Sequence, residues 1–440
     1  MTTPHTLLAN TEQLLKRVLA FEHPADMLVS KYFQENRQLG ARDRMVVANA
    51  LYAVLRYKSL FEYFAQSGPG TVERCLAILG CQADPWVQRA FSEEEASWLT
   101  CCQRVDTSSL PAPLRHNLPE WLFLALQAQL KEHPSKSGHD EQDKQTDSTS
   151  AAGPAFGDLV KSMNLPAPLD LRVNILKAKR EQVQKQLAEH AVKTAFTPYS
   201  PLGLRVHGKP VLNKHPLFLD GTIEVQDEGS QLLALLVAPK RGEVVVDFCA
   251  GAGGKTLALG AAMRNTGRLY AWDVSAHRLD ALKPRLARSG LSNVHLMAVN
   301  HENDERIKRL YGKVDRVLID APCSGLGTLR RHPDLKWRQT PDTVKELART
   351  QSAILESACR LLKPAGRLVY ATCSILCDEN EDIAGHFSQS HQDFDLLDVK
   401  NILQKQGVKE FSNLAENRYL RLWPHLHHTD GFFAAVWQKK

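Results

Sequence analysis

Hydrophobic positions divide the 440-residue chain into stretches with different periods. Over 6–130 they recur at helical spacing, as in Leu14, Leu15, Val18 and Leu19, and again in Val46, Val47, Ala50, Leu51, Val54 and Leu55. Strand-like alternation is missing there. The segment 118–130 adds a further helix, with Pro119 placed for its first turn. Residues 134–154 hold nothing that could fill a core and read as a flexible linker. In the stretch 163–225 the strand candidates are 169–174 and 203–208. From about residue 242 the pattern becomes regular. Strands are predicted at 244–248, 268–273, 293–299, 315–320 and 367–372 with helical segments between them, and 430–438 reads as a last strand entered from a tight turn. That alternation predicts a doubly wound, Rossmann-like α/β sheet. The expected organisation is multidomain: an all-α domain over 1–133, the linker 134–154, a middle α+β segment over 155–235 and the α/β domain over 236–440.

Composition narrows the class. With 43% hydrophobic and 24% charged residues, the chain reads as a soluble globular protein. Its longest apolar run, near 231–239, is too short for a membrane span, and the first residues lack a secretory pattern. A net charge of +6 permits a polyanionic partner without requiring one. Nine scattered cysteines argue for reduced thiols in a cytoplasmic protein. Neither Cys101 with Cys102 nor Cys373 with Cys377 has companion ligands at zinc spacing, so no metal is expected. His425, His427 and His428 also lack such companions and read as surface residues.

The candidate chemistry lies at the predicted strand ends. The strand 244–246 runs through Asp247 into Cys249, Ala250, Gly251, Ala252, Gly253, Gly254 and Lys255 before a helix. Glycines there let a ligand approach the backbone, and a helix N-terminus offers free N–H donors. The spacing is neither a dinucleotide fingerprint nor a P-loop. Asp273, closing the next strand, is suited to ribose hydroxyls. Together these fit S-adenosyl-L-methionine better than a nicotinamide dinucleotide. Cys323 and Cys373 follow two further strands, with Asp320 three residues before Cys323. Two thiols beside a methyl donor permit methylation of a pyrimidine at carbon 5. A thiolate adds to carbon 6, activating carbon 5, while Asp320 serves the ring nitrogen N3. The second thiol then assists loss of the carbon 5 proton. These residues alone do not order the two thiols. Arg330, Arg331, Lys336 and Arg338, with His332 and Trp337 interleaved, offer phosphate and base-stacking contacts.

Three motifs carry a family resemblance: Asp320-Ala-Pro-Cys-Ser324, the run Arg330–Trp337, and Tyr370-Ala-Thr-Cys-Ser374. They resemble the bacterial NOL1/NOP2/Sun group of RNA 5-methylcytosine methyltransferases, nearest its small-subunit ribosomal RNA methyltransferase B type. Arg172-Val-Asn174, Val225–Gln231 and Asp430–Phe433 are similar to segments of that family. The helical part, through Arg42–Met45 and Tyr52–Tyr57, is similar to a NusB-like RNA-binding domain. The resemblance implies a class I methyltransferase domain in which Cys373 is the nucleophile, Cys323 assists proton removal, and small-subunit rRNA is the partner of a monomer. It places cofactor contacts on 249–255, Asp273, residue 300 and Asp320. DNA cytosine methyltransferases use the Pro-Cys position instead, which makes Cys323 the rival nucleophile, but their Glu-Asn-Val motif is missing. Two departures stand out. The usual Ala-Pro in the glycine loop is Gly251-Ala252, and the usual Asp after the third strand is Asn300, so altered cofactor affinity is expected. The alternative is a catalytically impaired RNA-binding ribosome-assembly factor that keeps the fold.

Overall fold

The computed structural model describes residues 2–132, 154–411 and 413–440. Apart from Pro154, which begins a helix, the linker expected at 134–154 lies outside them. The described chain forms two compact units. One runs to Pro166 and includes Thr328–Pro341; the other comprises Ala167–Gly327 and Asp342–Lys440. Among the described residues no helix is long and apolar enough to cross a membrane.

The first unit is helical, and its sequence stripes become its core. Leu14, Leu15 and Val18 of helix Pro4–Val18 and Val47, Leu51, Val54 and Leu55 of helix Ala41–Arg56 are fully buried. Each such aliphatic contributes about 1.5–3 kcal/mol relative to exposure. Helix Val72–Cys81 crosses Ala41–Arg56 closely, and a Cβ on Gly80 would stand 2.7 Å from the Ala50 carbonyl oxygen. Helix Glu93–Gln103 starts at a reciprocal cap. Ser92 Oγ accepts from the Glu95 N–H, and Glu95 Oε2 accepts from the Ser92 N–H.

The second unit contains two sheets. The smaller is antiparallel in the order β2-β3-β1-β4, built from β1 (Leu169–Val173), β2 (Thr194–Phe196), β3 (Gly203–Val206) and β4 (Ile223–Val225). The larger has a parallel part: β5 (Val244–Asp247), β6 (Arg268–Asp273), β7 (Val294–Ala298), β8 (Val314–Asp320) and β9 (Leu362–Thr372). Antiparallel strands continue it: β10 (Phe394–Leu396), β11 (Ala415–Glu416), β12 (Tyr419–Leu422) and β13 (Phe432–Lys439). The order is β11-β12-β13-β9-β8-β5-β6-β7, with β10 beside β13. The sheet is therefore mixed, its parallel half as the alternation predicts and its other half antiparallel.

Val245, Val246, Val317, Ile319, Leu368 and Val369 are completely buried, as strands covered on both faces require. Strand order reverses at β5, whose neighbours are β6 on one side and β8 on the other. The crevice outside the carboxyl ends of the strands at such a switch point is the usual ligand position.

Candidate active site

The glycine loop is held from below and from both sides. Asp247 ends β5 and accepts from Thr256 Oγ1 at 2.7 Å. The Ala250 N–H donates to the Trp272 carbonyl at 2.7 Å, tying the loop to β6. Arg285 donates to the Ala252 carbonyl at 2.6 Å and Arg172, from β1, to the Gly254 carbonyl at 2.7 Å. Arg172 is buried and also bonds Gln226, while buried Glu224 pairs with both Arg285 and Arg288. The segments Arg172–Asn174 and Val225–Gln231 thus brace the loop and its surroundings. Gly253, at φ +81°, leaves no room for a side chain, since a Cβ would stand 2.1 Å from Leu282 Cδ1.

This loop fits a nucleoside-bearing cofactor on two observations. Gly251, at φ +54°, faces open space: a Cβ added there would meet nothing within 4 Å. Asp273 is buried, and its two oxygens accept from the Gly251 N–H at 2.9 Å and the Ser275 N–H at 2.8 Å. Each carboxylate oxygen has a further acceptor site for a ribose hydroxyl. Cys249 is half-buried, and its thiol is pushed well up by burial and by Asp247. Asn300 is exposed two residues after β7, its N–H donating to Asp304 Oδ2 at 3.1 Å.

The two thiols meet. Asp320 at the end of β8 pairs in register with Ala371 of β9, so the turns that follow the two strands are side by side. Cys323 Sγ and Cys373 Sγ lie 3.3 Å apart, and the Cys373 N–H donates to Cys323 Sγ at 3.4 Å. The hydrogen bond to Cys373, followed by burial, holds the Cys323 thiol well above the ordinary cysteine range. Lys255 Nζ donates to Asp320 Oδ2 at 2.7 Å. Burial works against the ammonium, but Asp320, Cys373 and Asp247 outweigh it and the lysine pKa is raised. The Lys255 ammonium is thus held against Asp320.

Sequence reasoning missed the support beneath the thiols. Glu379, Gln351 and Asn380 are fully buried and bond the two cysteine-bearing turns. No spacing signal singles them out, because their role depends on burial.

Of the four residues expected to contact RNA, Arg330, Arg331, Lys336 and Trp337, two are buried, Arg330 and Lys336. Lys336 and Trp337 sit inside the helical unit, where they satisfy the last carbonyls of helix Ala41–Arg56. Trp337 Nε1 donates to the Leu55 carbonyl at 2.7 Å, and Lys336 Nζ donates to the Arg56 carbonyl at 2.7 Å and Asn164 Oδ1 at 2.8 Å. Burial pushes the Lys336 pKa well below the usual lysine range. Arg330 is buried as well, its carbonyl accepting from Arg56, and Arg331 is half-buried. The histidine reading needs correction. His427 is buried, its Nδ1 accepting from the Trp423 N–H at 2.8 Å, while His428 is exposed. Among the described residues Glu356, Cys359 and His391 bring metal-type donors together. Glu356 pairs with His391 at 3.2 Å, and Cys359 donates to the Glu356 backbone carbonyl at 3.3 Å.

The strand order, glycine loop and acidic strand ends define a class I methyltransferase fold. A methyltransferase homologue from Pyrococcus horikoshii shares it, at 32% identity and TM-score 0.56, over 66% of this chain and 92% of that one. The 16S rRNA methyltransferase RsmB/F family pattern matches residues 234–438, and the ferredoxin-like domain of RsmF/B-like methyltransferases matches 149–211. Ribosomal RNA small subunit methyltransferase B of Photorhabdus laumondii is 30% identical over 76% of this chain and 71% of its own length. The chain belongs to the RsmB/F family. The probable ribosomal RNA small subunit methyltransferase B of Synechocystis is 38% identical over 62% of this chain. The human 28S rRNA (cytosine(4447)-C(5))-methyltransferase is 30% identical over 64% of this chain and 36% of its own length. The chain spans between 52% and 61% of the length of four curated bacterial relatives.

Proposed function

We propose that this protein transfers a methyl group from S-adenosylmethionine to carbon 5 of a cytosine in small-subunit ribosomal RNA, through a covalent bond between Cys373 and carbon 6. The observation that carries the reading is the pair of thiols 3.3 Å apart, with the Lys255–Asp320 ion pair close by. Family membership and the names of the relatives support the rRNA substrate. The cytosine-C5 designation of the human relative supports the position on the base.

Gly251–Lys255, Asp273, Asn300 and Asp320 would hold the cofactor, which supplies an electrophilic methyl group when bound. Cys373 attacks carbon 6 as the thiolate, the nucleophilic form of a cysteine. Asp320, held by Lys255, faces the N3 side of the base and accepts a hydrogen bond from cytosine protonated at N3, whose positive charge is neutralised as the thiolate adds to carbon 6. Carbon 5 then gains its methyl group. The carbon 5 proton passes to the Cys323 sulfur after Cys323 has given its own proton to solvent, the carbon 5–carbon 6 double bond reforms, and the Cys373 sulfur leaves with its electron pair. The target base must be unpaired or flipped for carbon 5 to reach the site. We read the helical unit as a NusB-like RNA-binding module, and the protein as a cytoplasmic monomer.

The test is a denaturing-gel assay for a protein–RNA adduct, using S-adenosylmethionine and unmethylated small-subunit rRNA. Adduct should accumulate with Cys323→Ala and vanish with Cys373→Ala. The reverse pattern makes Cys323 the nucleophile. No adduct with either variant overturns covalent catalysis and favours an RNA-binding assembly factor.

A further inference from the structure

Each thiol is followed by a serine, and both serines turn inward to one carboxylate. Ser324 Oγ and Ser374 Oγ lie 3.2 Å apart, and both donate to Glu379 Oε2 at 2.5 Å. Glu379 Oε1 accepts from the Ser324 N–H at 2.8 Å and from Gln351 Nε2 at 3.0 Å. Gln351 also donates to the carbonyl of Pro322, the residue before Cys323, and accepts from Tyr370 on β9. Asn380 completes the lower side. It donates to the Ser374 carbonyl at 3.0 Å and accepts from Thr372 Oγ1 at 2.5 Å.

Glu379 is completely buried, and these four bonds to its carboxylate all come from neutral donors. Burying a carboxylate among neutral groups costs stability that apolar packing would avoid. What the carboxylate provides is geometry: one oxygen receives an arm from each cysteine-bearing turn. We propose that Glu379 is a positioning residue that fixes the separation of Cys323 and Cys373, acting through Ser324 and Ser374. Its role in catalysis rests on the reading of those thiols as nucleophile and base; the clamp itself does not. The proposed reaction needs both sulfurs at one base, one bonded to carbon 6 and the other within reach of the proton on carbon 5. A shift of one turn against the other would separate them.

Disulfide closure measures this separation without RNA or cofactor. Diamide takes two protons and two electrons from a pair of thiols, becoming the hydrazine as the sulfurs join. Peptide mapping of the full chain then gives the rate at which Cys323 and Cys373 are linked. Glutamine at 379 keeps one acceptor oxygen and replaces the other with a donor, so the clamp loses either both serine arms or the bonds from the Ser324 N–H and Gln351. Closure in Glu379→Gln should be about ten-fold slower or more, as expected for a misplacement of reacting atoms. Iodoacetamide labelling of Cys373, run in parallel, should change little, which separates distance from thiol reactivity. Ser374→Ala should slow closure as well and add little in the Glu379→Gln background, because both act through one contact. If Glu379→Gln does not fold, Ser324→Ala and Ser374→Ala carry the test, each removing a single hydroxyl. Closure at the wild-type rate in a folded Glu379→Gln protein, or in both serine variants, overturns the clamp. Slowed closure together with no RNA adduct would uphold the clamp and reject the proposed function.

Discussion

At the scale of single residues, Asp247 should make stability depend on pH. Its Oδ2 accepts from Thr256, while its Oδ1 is buried without a partner. Burial, against the opposing Thr256 hydrogen bond, pushes its pKa from 3.8 to about 7. The folded value lies above the unfolded one, so the folded state holds the proton more tightly. The group's contribution is fully present below the unfolded pKa of ~3.9 and is lost as pH rises through the folded value. Above that the chain carries a buried carboxylate. Asp247→Asn keeps an oxygen for Thr256 and cannot titrate. Relative to wild type, its melting temperature should therefore rise with pH between about pH 4 and pH 7, with an upper bound of about 4 kcal/mol. A constant difference across that range would show that Asp247 stays ionised when folded.

At the scale of elements, two glycines in one loop should respond differently to the same substitution. Alanine at either Gly251 or Gly253 must adopt positive φ, which costs about 1–2 kcal/mol. At Gly253 it also collides with Leu282, adding about 1–3 kcal/mol of overpacking. At Gly251 it projects into open space. Gly253→Ala should therefore show the larger loss of melting temperature. Gly251→Ala should show the larger loss of S-adenosylmethionine affinity by calorimetric titration. Wild-type affinity in Gly251→Ala would mean that the cofactor does not occupy that space.

The same scale shows what the sequence made legible. The long helical stripes and the five parallel strands were readable because each repeats a period over many residues. The three-residue strands β2 and β4 were not, since segments that short carry no period and form by pairing with neighbours. The thiols and Asp320 could be placed because they sit just beyond strands whose register is fixed by hydrophobic burial. Glu379 could not, because an acidic residue in a polar stretch looks like a solvated one until Ser324, Ser374 and Gln351 enclose it.

At the scale of the whole molecule, charge must be counted by location. The chain carries a net +6, and Lys336 in a basic, aromatic run is an obvious candidate for phosphate contact. Yet its ammonium is enclosed by the Arg56 carbonyl and Asn164. A lysine that neutralises an RNA phosphate releases a counterion, so removing it lowers the slope of log affinity against log salt by about 0.7–0.9. Lys336→Met should leave that slope unchanged for small-subunit rRNA. Its effect should appear in stability. The folded pKa of Lys336 lies below the unfolded value, so the folded state binds the proton more weakly. Stability from this group therefore increases as pH rises toward the ordinary lysine pKa of ~10.4. The melting temperature of wild type relative to Lys336→Met should climb with pH over the alkaline range. A salt slope reduced by one contact, with no pH trend in the melting difference, would instead place Lys336 on the RNA.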